Sequence, residues 1–371
     1  MRKRLVPLCL TLLLALSACG SPAADHSPAP EHSVPAVTVS PPAAPVPAPT
    51  ATPEPTYAGP VNPLTGMPID EAYVNRRPVA IMLNNLKRAL PQVGVAEADI
   101  IYECLAEGGI TRMLGLYQDP SGVGAIGSIR SSRTYYLELA LGHDAVYIHA
   151  GGSPDAYNKI KAWNVTALDG VNGPYCGTSP GSNLMWRDAN RRQNMGYEHS
   201  VITTGSTITE KFEGYSFRKD HPDGYDLGLR FAPDGTPEGG TVANTITVPF
   251  SNVKTGVFTY DPQSSLYMVE EYGKPYVDGN TGEQVGVTNV ITLKTRCANI
   301  PGDDKGRITV DLTSGGTGYF ACGGKMIDIR WSKADRNSPF CYTDLNGNPI
   351  TLGQGSSYVN IVPLDCSVTA G

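Results

Sequence analysis

Ile100 to Asp155 reads IIYECLAEGGITRMLGLYQDPSGVGAIGSIRSSRTYYLELALGHDAVYIHAGGSPD, and its reading decides the fold. Three apolar runs, Ile100–Leu105, Met113–Tyr117 and Ala145–Ala150, have the length and composition of strands. Each adjoins a short polar signature, EGGITR, IRSSR or HAGGSPD, so polar residues fall at strand ends and helix starts, where ligands are usually held. In IRSSR, Arg130 and Arg133 flank Ser131-Ser132 ahead of the helical run TYYLELAL, and a Ser there is a natural N-cap. The free N–H groups and positive dipole end of that helix would face the two arginines, which is an anion site in outline. In HAGGSPD, Ser153 with Pro154 predicts a second helix start. A purely structural reading stays open: caps and glycine turns serve any strand-to-helix passage, and the arginines have Glu103, Glu107 and Glu138 to pair with.

The chain has 371 residues, enough for two domains by length. Residues 1–19 read as a lipoprotein signal peptide. Arg2-Lys3-Arg4 precede an apolar run too short to span a bilayer, and Leu16-Ser17-Ala18-Cys19 matches a lipobox. Lipidated Cys19 would anchor the chain to the membrane from outside, since more than one acyl chain suffices for stable attachment. Residues 20–56 are rich in Pro and Ala and read as a disordered tether. At about 3.1 Å per residue such a tether reaches on the order of 100 Å. Formal net charge is −6, and becomes three units more negative without Arg2, Lys3 and Arg4. That balance, with the compartment, argues against nucleic acid as a partner.

Six cysteines remain beyond the signal: Cys104, Cys176, Cys297, Cys322, Cys341 and Cys366. An even number in an exported chain suggests disulfides. Pairing within domains would join Cys104 to Cys176 and leave the last four to pair among themselves; reduced thiols are the alternative. No C-x-x-C, H-E-x-x-H or P-loop is present, and no metal or cofactor is predicted.

The architecture expected is α+β: a mixed α/β first domain over 57–217, a linker over 218–240, and a β-rich hairpin second domain over 241–366, of a layered β-β-α type. Thr207-x-x-Glu210 reads as a capping box, with Gly214 ending its helix. The turn Asp278–Glu283 lacks the rest of a calcium loop and reads as a β-turn.

Several motifs in order, NPLTG, RPVAIMLNN, ADIIYECLAEGGITRMLGLY, IGSIRSSRTYYLELA, DAVYIHAGGSPDA, NVITLKT, GYFACGGKMIDIRWSK and a closing IVP, resemble the YerB-type lipoproteins of Gram-positive bacteria from about residue 60 to about residue 365. The resemblance implies a lipid anchor, an α+β first domain and a β-rich second one, and no established reaction. This chain departs from the family pattern at Ser128-Ile129, where a Pro is usual, at Glu198-His199-Ser200 in place of Pro-His-Asn, at Cys104, where an aliphatic residue is usual, and before IVP, where Tyr358 is the nearest aromatic.

The candidate ligand-binding residues are Glu103, Glu107, Arg112, Arg130, Ser131, Arg133, His149, Ser153, Arg187 and His199. Arginines hold anions through paired N–H donors. The reading favoured is a surface-anchored lipoprotein that binds an anionic or polar envelope ligand, such as a wall polymer, or a protein partner. The alternative is a wall-directed hydrolase using His149 or His199 as base, Ser131 or Ser153 as nucleophile and Glu103 or Glu107 as acid or orienter.

Overall fold

The computed structural model describes residues 58–371, whose strands and helices make a mixed α+β fold. The signal, Cys19 and the Pro-rich stretch lie outside the described residues. The first segment contributes β1 (Val79–Asn84), β2 (Ile100–Leu105), β3 (Thr111–Tyr117), β4 (Val146–His149) and β5 (Ala167–Asp169). Three nine-residue helices follow strands in this segment: α1 (Thr134–Gly142), α2 (Pro154–Ala162) and α3 (Gly205–Glu213). The second segment is almost all strand: β6 (Thr245–Ser251), β7 (Lys254–Asp261), β8 (Leu266–Glu271), β9 (Asn289–Thr295), β10 (Cys297–Asn299), β11 (Ile308–Val310), β12 (Gly316–Cys322), β13 (Lys325–Ser332) and β14 (Ser357–Pro363).

One 11-stranded sheet runs through both segments, with the labelled strands in the order β13-β12-β9-β14-β2-β3-β1-β4-β5. The segments join where β2 pairs in parallel with β14, from Ile100 opposite Ser357 to Cys104 opposite Ile361. β1, β2, β4, β5, β9 and β14 all run in one direction, because β3 is antiparallel to both β1 and β2. β1, β2 and β3 are buried along their whole length, as near-continuous apolar runs covered on both faces should be.

Alternation sorts the side chains of these strands. Ile81, Leu83, Ile101 and Met113 pack with Ile246, Val248, Phe258 and Val269 of the six-stranded sheet built on β6–β8, and with Ile208 of α3. On the other face Ala80, Met82, Tyr102 and Leu114 meet Tyr136, Leu137 and Ala140 of α1. Trp186 and Trp331 are both buried. Residues 218–240 lie against the fold: Arg218 O accepts from Arg77 Nη1, His221 N donates to Asn75 O, and Phe231-Ala232 pairs with Leu352-Gly353.

Several expectations need correction. No disulfide exists among the described residues; all six cysteines are free. Cys104 lies on the β2 face packed against α1, whereas Cys176 belongs to a separate four-stranded sheet, so the expected pair is not formed. The N-cap of α1 is Arg133, not a serine, and no side chain caps it. The Ser132 hydroxyl is taken by Tyr147 and that of Ser131 by the Ala150 carbonyl. α3 starts at Gly205 with Thr204 as N-cap bonded to Thr207 N, three residues before the expected box, and Gly214 does end it.

Candidate functional site

β1 and β4 pair only from Val79–Val146 to Ile81–Ile148. Beyond that point they splay, and IRSSR enters the gap. Arg130 N donates to Met82 O and Ala150 N donates to Arg130 O, both at 3.0 Å. Asn84 N bonds Ser128 O, and Ser132 N bonds Gly151 O, each at 2.9 Å. The segment therefore serves as a wedge whose backbone satisfies both strand ends, and α1 and α2 begin directly after it and after β4. Ligands of open sheets with parallel strands bind outside the carboxyl ends, in such a crevice.

The wedge gathers the arginines. Arg112, at the start of β3, is buried; its Nη1 donates to Ser131 O at 2.8 Å and its Nη2 to Glu107 Oε1 at 2.6 Å. Arg133 donates Nη1 to Ser132 O at 2.7 Å and Nε to Glu107 Oε2 at 3.1 Å, and Nη2 also reaches Glu107. Burial alone would push the Glu107 carboxyl up, but Arg112 and Arg133 together hold it below its ordinary value. Burial lowers the Arg112 pKa, as do the charges of Arg133 and Arg130, against the pull of Glu107.

Arg130 is committed less. Its Nη1 donates to Glu198 O at 2.6 Å, and both terminal nitrogens lie 3.4 Å from Glu198 Oε2, on a side chain that is 66% exposed. Its Nε is buried and has no acceptor among the described residues. Arg187 donates to Tyr197 O at 2.8 Å and lies 3.6 Å over the Tyr197 ring, with no carboxylate partner among the described residues. His199 is buried, with Nδ1 at 2.8 Å from the Asn84 amide and Nε2 at 3.4 Å from Glu198 Oε1. An amide donor on Nδ1 assigns the ring proton to Nε2. Burial and the neighbouring Arg130 lower the pKa of His199, while Glu198 raises it.

His149, on the face of β4 shared by Tyr147, donates Nδ1 to Gly151 O at 2.8 Å and stacks on Tyr147. Burial lowers its pKa against the attraction of Asp169, 3.9 Å away. Ser131 is bonded to Ala150 O, and Ser153 caps α2 by accepting from Ala156 N at 3.2 Å, as its Ser-Pro signature predicts. Neither hydroxyl has a histidine as hydrogen-bond partner among the described residues.

Glu103 is elsewhere. It is fully buried on the opposite sheet face from Tyr102 and Cys104, where it accepts from Asn85 Nδ2 at 2.7 Å and Tyr358 OH at 2.6 Å. Lys254 Nζ lies 3.0 Å from it and also contacts Glu271. The two histidines, Glu103 and Glu107 are thus not brought into one pocket. Sequence reasoning missed Lys254 and Glu271, although alternation along β7 points Lys254 inward with Gly256 and Phe258. It also missed Asn84, Asp169 and Glu198, which carry no motif.

Next to the wedge, α1, α2 and the β10–β11 hairpin enclose a cavity of about 530 Å³ that includes Arg133 and Ser153 in its lining. Among the described residues no cluster of three His, Cys, Asp or Glu side chains is placed to hold a metal.

The fold and edge define a two-segment α+β protein of a family known by sequence. Residues 64–218 match the family model described as "Protein of unknown function (DUF3048) N-terminal domain", and residues 246–359 match the corresponding C-terminal domain. The chain belongs to this YerB-like family. It is 29% identical over 305 residues to the "Putative lipoprotein YerB" of Bacillus subtilis (strain 168), covering 81% of this chain and 86% of that one. The crystal structure of YerB protein from Bacillus subtilis matches with a TM-score of 0.69 at 28% identity, over 83% of this chain and 99% of that one. No helix among the described residues is long and apolar enough to cross a membrane.

Proposed function

We propose that this chain is a lipoprotein held outside the cytoplasmic membrane by Cys19, and that it binds an anionic envelope ligand at the carboxyl edge of its sheet. The observation that carries this reading is Arg130. Its ion-pair partner among the described residues is an exposed glutamate, 3.4 Å from both terminal nitrogens, so a ligand anion can compete for those donors. Arg112 and Arg133 lie behind it with one carboxylate between them, and α1 begins there without a side-chain cap. A carboxylate or phosphate would be met by charge-assisted N–H donors from both sources.

The test is a thermal-shift titration of the full chain with phosphate-bearing polymers and wall fragments. A ligand at 100 times its Kd stabilises by about 2.7 kcal/mol. A rise in Tm for the wild type that Arg130→Gln abolishes supports the reading. No shift with any of these ligands contradicts it.

A further inference from the structure

We propose that the cavity beside the wedge takes the end of a ligand that carries both a primary ammonium and an anionic group. This deepens the anion-binding reading and rests on it. Arg133, Thr134, Tyr135 and Glu138 form one side of the cavity, Pro154 and Asp155 a second, and the β10–β11 hairpin a third. Its charges do not suit a simple anion. Two arginines, Arg133 and Arg307, face three acids, Glu138, Asp155 and Asp303.

The acids are unequal. Asp303 is spent: Oδ2 accepts from Arg307 Nε at 2.6 Å, and Oδ1 accepts from Lys305 N at 2.9 Å and Arg307 N at 3.1 Å. Asp155 accepts from the Thr134 hydroxyl. Glu138 has no hydrogen-bond or ion-pair partner among the described residues, although it is half-buried in the lining. Burial pushes its carboxyl above the ordinary value, against the weaker pulls of Lys333, Arg336 and Lys159, none of them within ion-pair distance. A half-buried carboxylate without a partner is costly unless something cationic reaches it.

The opposite pole lies one turn away. Arg133 is the N-cap of α1, and the first N–H groups of the helix, at Thr134 and Tyr135, receive no side-chain cap. Thr134 and Glu138 are four residues apart and share a helix face, separated by roughly 6 Å along the axis. An anion at the helix start and an ammonium at Glu138 would therefore belong to one small group, as in an aminoethyl phosphate or a short peptide. Tyr135, Pro154, Ile308 and Val310 supply apolar walls between the poles.

Isothermal titration of the full chain tests this with O-phosphoethanolamine, glycylglycine, inorganic phosphate and ethanolamine. The first two separate a phosphate from a carboxylate source of the same zwitterionic chemistry. The expected result is that at least one zwitterion binds about tenfold or more tighter than phosphate or ethanolamine, a difference of about 1.4 kcal/mol. Glu138→Gln should remove that advantage without weakening phosphate binding, and Glu138→Asp, which keeps the charge, should retain part of it. Thermal melts of both variants establish that they fold.

Phosphate binding as tight as that of either zwitterion, or full zwitterion affinity in a folded Glu138→Gln protein, overturns the inference. In that case phosphate binding lost in Arg130→Gln still supports the anion site. Binding of none of the four probes overturns the inference, and the polymer titration then decides the anion site separately.

Discussion

Glu103 and Lys254 meet at 3.0 Å with both side chains buried, one on β2 of the first segment and the other at the start of β7 in the second. Burial lowers the Lys254 pKa, and the attraction of Glu103 opposes that shift. Glu271 touches the same ammonium and Tyr358 donates to Glu103, so four groups from β2, β7, β8 and β14 meet where the segments join.

Lys254→Met leaves two buried carboxylates facing each other without a cation. Removing one partner of a buried pair costs about 3–5 kcal/mol. Denaturant unfolding should show that loss. Combining Lys254→Met with Glu103→Gln should recover part of it, since only one buried carboxylate then remains. A single variant within about 0.5 kcal/mol of wild type would mean that this cluster does not hold the segments together.

His143 gives a pH prediction. It is buried with Nε2 at 2.8 Å from the Tyr102 hydroxyl, and its pKa is lowered to about 3, first by burial and then by Lys333 and His221. The unfolded chain takes up a proton near pH 6.5 and the folded one does not until about pH 3. Stability from this group is thus fully present above pH 6.5 and falls by roughly 1.4 kcal/mol per pH unit as pH drops through the window. Asp99 works oppositely. Burial raises its pKa from 3.8 to about 6, so its contribution is present below pH 3.8 and is lost as pH rises through about 6. The difference in unfolding free energy between wild type and His143→Gln isolates the histidine and should slope between pH 6.5 and 4. A flat difference contradicts the assignment.

Thiol labelling checks the cysteines. Cys341 is exposed and Cys104 is buried in β2, its pKa raised well above the ordinary value by burial. The thiolate is the reactive form, so a maleimide should modify Cys341 first and Cys104 only on unfolding. A Cys104–Cys176 disulfide found by mass spectrometry would contradict the free thiols.

Cys19 is tested in a cell that processes lipoproteins. Cys19→Ser should abolish incorporation of a labelled fatty acid and release the chain from the membrane fraction. Continued membrane retention of that variant would mean that the anchor is another part of the leader.

The strand-helix order of the first segment was legible because β1, β2 and β4 are apolar runs between strong turn and cap signals, and Ser153-Pro154 marked α2 correctly. The β2–β14 pairing was not legible. It joins residues over 250 positions apart in sequence, and no local pattern reports such a partner. The same gap split the candidate site. Arg112, Arg130 and Arg133 belong together because the wedge separates β1 from β4, while alternation puts Glu103 on the face of Ile101 and Leu105, away from α1, and Glu107 lies past the end of that strand. The missing cap on α1 shows the competition locally: both serines that read as caps bond to β4 or its extension instead.

The most direct test of the central claim is Arg130→Gln measured on two axes, thermal stability and affinity for the best-binding phosphate-bearing polymer. Its ion-pair partner is exposed, and such a pair is worth little, about 0–1 kcal/mol. The account predicts a Tm near that of wild type and an affinity reduced about tenfold or more, as loss of a charge-assisted bond of about 1.5–3 kcal/mol requires. A variant that melts far lower, or one that binds the polymer as tightly as wild type, would contradict a ligand site at this edge.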